Sequence, residues 1–131
     1  MHTLVICTAA LLLATKALDC LSTLTAVPTA SAETNPFARG FMRRHGVRRT
    51  TGLVFALAAA LIGIATTAVL LMDSTLYAGI FVFVGLFVSV VQAAVAHTNW
   101  SGRRNAITSR VLRAHHAIAS LLRNLRSKHA N

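Results

Sequence analysis

Between Thr50 and Gly102 the chain carries one formally charged residue, Asp73, which divides two apolar runs at 53–72 and 76–96. Each run is about 20 residues long. A helix rises about 1.5 Å per residue, so each reaches about 30 Å, the thickness of a bilayer's hydrocarbon core. An amphipathic helix of a soluble protein turns a polar face outward at every turn. Neither run shows such a face, and both predict transmembrane helices.

A third apolar stretch, 4–27, differs in holding Lys16 and Asp19 in its second half. It reads either as a membrane helix with an ionisable pair or as a signal peptide cleaved after Ala30-Ser31-Ala32. Charge placement favours retention. Arg39, Arg43, Arg44, Arg48 and Arg49 crowd the following connection, and Arg103, Arg104, Arg110, Arg113, Arg123, Arg126 and Lys128 fill the tail, whereas the turn at 73–75 has no basic residue. Basic loops stay in the cytoplasm, so three uncleaved spans place the N-terminus outside and the C-terminus inside a cytoplasmic membrane. Cleavage would carry the five connecting arginines outward. The start also lacks the basic segment of a signal peptide, and Leu18-Asp19-Cys20 has Asp where a lipobox needs a small residue.

The connection 28–52 holds its own helix signals. Asn35 is a natural N-cap, Pro36 suits the first helical position, and Gly46 is a stop. Phe37 and Phe41 share one face of that short helix, which predicts rings toward lipid and Arg39, Arg43, Arg44, Arg48 and Arg49 in anionic headgroups. A solvated basic loop is the plainer alternative. In the tail, 103–128, Ile107, Val111, Ala114, Ile118, Leu121 and Leu125 alternate four- and three-residue steps, the seam of an amphipathic surface helix. Its occupant could be anionic lipid, met by Arg104, Arg110 and Arg113, a second copy of the chain, or a partner protein. Nucleic acid is disfavoured because no aromatic platform or base-reading motif accompanies the arginines.

Composition agrees with this picture. The 131 residues are 55% hydrophobic and 12% charged, which allows one domain at most and excludes both disorder and an ordinary soluble protein. Two cysteines exclude a disulfide scaffold, and Cys7 and Cys20 would stand about 19 Å apart on one helix. The chain has 13 Lys+Arg against 3 Asp+Glu, and its high Arg and Ala content fits a prokaryotic or phage source.

Asp19 is the residue most in need of explanation, because a lone carboxylate in lipid costs about 2.5–3.5 kcal/mol. Lys16 lies on its helical face and can pair with it, and Thr15, Ser22 and Thr23 extend a polar stripe. The stripe reads as an ion contact or as a neutralised pair holding this span to its neighbours. Ala59, Gly63 and Thr67 form a small-residue ridge on the second span, and Gly79 and Gly85 do the same on the third; both permit close helix approach. Asp19 and Glu33 are kept from acting as a catalytic dyad by the break at Pro28. His115 and His116 point about 100° apart. No metal, phosphate-loop or nucleophile-elbow motif occurs, so neither an enzyme nor a cofactor or metal is expected.

Asp19-x-x-x-Thr23, followed by Glu33-x-Asn35-Pro36 and a basic segment, resembles an uncharacterised family of small multi-pass prokaryotic membrane proteins. The resemblance covers residues 12–96 and implies three spans with a retained first helix; it implies no activity. The expectation is an all-α integral membrane protein of three transmembrane helices plus a C-terminal amphipathic surface helix. Its expected role is a non-catalytic interaction or accessory subunit, as a homo-oligomer or with a membrane partner. A holin-like pore-forming protein and a small transporter or channel subunit using Asp19 are the alternatives.

Overall fold

The computed structural model describes residues 1–33 and 35–102. The amphipathic helix expected over 103–128, with Arg104, Arg110 and Arg113, lies outside the described residues. The chain is all-α: α1 is His2–Ala26, a 3-10 turn follows at Ala30–Ala32, α2 is Pro36–His45, α3 is Val47–Met72 and α4 is Thr75–Ser101. Three helices, α1, α3 and α4, are long and apolar enough to cross a membrane.

Local chemistry sets the helix ends. Asn35 Oδ1 accepts the Phe37 N–H at 3.0 Å, and Pro36 occupies the first helical position of α2. Gly46, at φ 81°, both ends α2 and precedes α3, a conformation that a β-carbon would strain. α3 therefore starts at Val47, before its apolar run, because Arg48, Arg49 and Thr50 continue a helix once Gly46 has broken the previous one. Asp73 ends α3 with φ 44°, a left-handed geometry that a short polar side chain tolerates. Gly102 ends α4 at φ 65°, its N–H bonded to the Thr98 carbonyl.

Packing does not follow chain order. α1 lies along α4 for most of its length and leans more lightly on α3, while the consecutive helices α3 and α4 touch little. The α1–α4 seam is parallel and repeats every seven residues. Thr8 packs on Gly85, Thr15 meets Gln92, and Ser22 meets Asn99, each pair 77 positions apart. A seven-residue recurrence is that of a left-handed helix pair. A β-carbon on Gly85 would run into the Thr8 methyl group and come within 3.2 Å of Leu12 Cδ1, so glycine sets the closeness of the helices here.

The third span is thus not uniformly apolar around its circumference, contrary to expectation. Gly85, Ser89 and Ala96 are buried against α1 and Gln92 is half-buried, forming a small and polar stripe among bulky Val, Leu and Phe. Lipid tails are as apolar as leucine, so small and polar residues hold membrane helices together. At the opposite end of the molecule His2 Nε2 lies 3.0 Å from Asp73 Oδ1, tying the start of α1 to the α3–α4 turn.

Candidate functional site

Beyond α1 the chain breaks at Pro28, turns, and folds back. The segment after the turn is held by its own polar groups. The Asn35 N–H donates to Glu33 Oε1 at 2.8 Å, and Arg39 Nε donates to the Glu33 carbonyl oxygen at 2.8 Å. Glu33 and Asn35 are thereby fixed over the end of α1, and with α2 and the start of α3 they line an open cavity of about 770 Å³.

Its lining is amphipathic. Lys16, Asp19 and Thr23 face it from α1, and Glu33 and Asn35 from the connection. Phe41, Leu53, Val54 and Leu57 supply the apolar part. The break at Pro28 was expected to keep Asp19 and Glu33 apart. It does the reverse, because it lets the chain return so that both carboxylates line one space.

Lys16 Nζ donates to Asp19 Oδ2 at 2.7 Å, and both side chains are largely buried. The pair is contained within α1 and makes no hydrogen bond to α3 or α4 among the described residues. Asp19 is about 10 Å from the end of α1 at Ala26, so the pair lies at the margin of the apolar layer rather than at its centre. A long lysine stem suits that depth. The hydrogen bonds between α1 and α4 run instead through Thr15 and Ser22 of the same stripe, met by Gln92 and Asn99. Asn99 Nδ2 donates to Ser22 Oγ at 3.1 Å, and Ser22 in turn donates to the Asp19 carbonyl oxygen at 2.8 Å. Gln92 makes the corresponding contact with Thr15.

One buried hydroxyl among the lining residues has no hydrogen-bond partner among the described residues. Thr51, Thr66 and Thr98 each donate to the carbonyl four residues earlier in their helices. Thr50 does not: it is 4% exposed, it lines the cavity, and its hydroxyl has no hydrogen-bond partner among the described residues. Leaving such a group unpaired costs about 1–3 kcal/mol. Ser89, on the α1–α4 seam, is the other hydroxyl in this state.

The remaining residues singled out from sequence are dispersed. Pro36 opens α2. Arg43, Arg44, Arg48 and Arg49 are exposed, whereas Arg39, expected in the headgroups, is half-buried and turned back onto Glu33. Phe37 is 88% exposed, and Phe41 stacks at a tilt on His45 with centroids 4.8 Å apart. On α3, Gly63 and Thr67 are exposed and Ala59 is half-buried; a β-carbon on Gly63 would meet nothing within 4 Å. Gly79 is likewise open, so of the two α4 glycines only Gly85 packs against another helix among the described residues. A second cavity of about 530 Å³ separates α3 from α4, almost wholly apolar, with Gln92 on its wall.

No family model, curated protein or solved structure matches the chain.

Proposed function

We propose that this chain is a non-catalytic interaction or accessory subunit of the cytoplasmic membrane, threaded with its N-terminus outside and its C-terminus inside. The three apolar helices support the membrane, and the arginines at one end against the basic-free turn at Asp73 support the orientation. Exposed Phe37 and the arginines of α2 suit an anionic headgroup layer.

The observation that carries the subunit role is the contrast between two small-residue surfaces. On α4, Gly85 is consumed by Thr8 and Leu12 of the same chain. On α3 the ridge of Ala59, Gly63 and Thr67 has no helix over Gly63 and Thr67 among the described residues. The same device that closes α1 on α4 is open on α3 for a second copy or another membrane helix. Disulfide trapping tests it. With Cys7 and Cys20 replaced, Gly63→Cys should cross-link in native membranes, to itself in a homo-oligomer or to a partner, and Gly63→Leu should shift the detergent-extracted assembly to monomer. A chain that stays monomeric with no cross-linked product would overturn the proposal.

A further inference from the structure

The cavity between α1, α2 and α3 has properties that a neutralised ion pair alone does not account for. Its wall carries one ammonium, Lys16, against two carboxylates, Asp19 and Glu33, in a chain whose net charge is +10. One oxygen of each carboxylate is engaged, Asp19 Oδ2 by Lys16 and Glu33 Oε1 by the Asn35 N–H; the other oxygen of each has no partner among the described residues. Lys16 has donors to spare. Beside these groups Leu53, Val54 and Leu57 form an apolar wall on a helix long enough to span a membrane.

We infer that this cavity seats one phospholipid with a primary-amine head, of the phosphoethanolamine type. The ammonium donates to the free oxygens of Asp19 and Glu33, the phosphate accepts from Lys16, and an acyl chain follows Leu53, Val54 and Leu57. Charge complementarity selects this head over its rivals. An anionic head without an amine would face two carboxylates with one lysine to offset them. A bare metal cation would leave the apolar wall and the spare lysine donors unused. A trimethylated choline head carries the same charges but no N–H, so it cannot bond the carboxylates. The inference is independent of the assembly proposed for α3.

The test is lipid competition on the full-length protein. Delipidated protein is exposed to equimolar phosphatidylethanolamine, phosphatidylcholine and phosphatidylglycerol in mixed micelles, and retained lipid is counted by native mass spectrometry. One phosphatidylethanolamine should be retained on the order of tenfold over phosphatidylcholine, the worth of a charge-assisted hydrogen bond. Glu33→Gln, which keeps the oxygen that caps Asn35, should bring that ratio close to one. Soluble phosphoethanolamine at millimolar concentration should not displace the lipid. Equal retention of the two zwitterionic lipids, preference for phosphatidylglycerol, no retained lipid, or displacement by the soluble head would each overturn the inference. The wild-type ratio stands even where a variant misfolds.

Discussion

Thr15 and Gln92 meet at the middle of the α1–α4 seam, 77 residues apart in the chain and 2.7 Å apart at the threonine oxygen. The same hydroxyl lies 2.9 Å from the Leu11 carbonyl oxygen. A hydroxyl has one proton to give, so both contacts are met when Thr15 donates to Leu11 and the Gln92 amide is turned to donate its NH2 to Thr15. The Thr15 hydroxyl is then satisfied both as donor and as acceptor. A double-mutant cycle of Thr15→Val and Gln92→Leu should return a coupling between about 0.5 and 1.7 kcal/mol, the range for hydrogen bonds between membrane helices. Reversible unfolding in micelles is the measurement, and a coupling of zero would mean the two side chains do not interact.

Gly85 should be the least replaceable position of α4. Alanine there meets the Thr8 methyl group, and overpacking of this kind costs about 1–3 kcal/mol. Thr8→Ser removes that methyl while keeping the hydroxyl, so the pair Gly85→Ala with Thr8→Ser should recover most of the loss. Gly63→Ala and Gly79→Ala, where a β-carbon meets open space, should cost little within one chain. If alanine at 85 proves as mild as at 63, the close approach is not made.

Removing either partner of the Lys16–Asp19 pair strands the other in a largely buried place. Lys16→Met or Asp19→Asn alone should destabilise by about 3 kcal/mol, and Lys16→Met with Asp19→Leu should be milder than either single change. Unfolding midpoints of the three variants in one detergent decide the order. A double variant worse than both singles would show that the pair contributes more than mutual neutralisation.

Much of the architecture was legible in the sequence because its signals are local. The uncharged lengths on either side of Asp73 mark two spans, and the Asn35, Pro36 and Gly46 caps mark a short helix between them and the first. What escaped were pairings between distant positions. Gln92 lies in the apolar run at 76–96 and Asn99 just past it, and nothing local marks either as a partner of α1. The regularity that identifies them, hydroxyls at Thr8, Thr15 and Ser22 matched by Gly85, Gln92 and Asn99, becomes visible only when two separate helices are read in one register. The cavity escaped for a related reason. A proline break was read as separating what it joins, since a helix end says nothing about the direction in which the chain departs. Thr50 gave no signal, because whether a threonine bonds its own helix is settled by rotamer and surroundings.

The pairing of α1 with α4 sets an order of events during synthesis. α1 rests on α4, which is synthesised later, and about 75 residues separate their ends. At 5–20 residues per second that is a wait on the order of ten seconds. Throughout it α1 has only lipid and α3 for company, with Thr8, Thr15 and Ser22 still unmatched. The Lys16–Asp19 contact and the hydroxyl bonds of Thr15, Ser22, Thr23 and Thr25 to carbonyls of the same helix need no other element, and they are available from the moment α1 forms. A ribosome stalled before Gln92 would therefore leave a nascent chain whose first span is inserted but unlatched, exposed to whatever quality control patrols the bilayer.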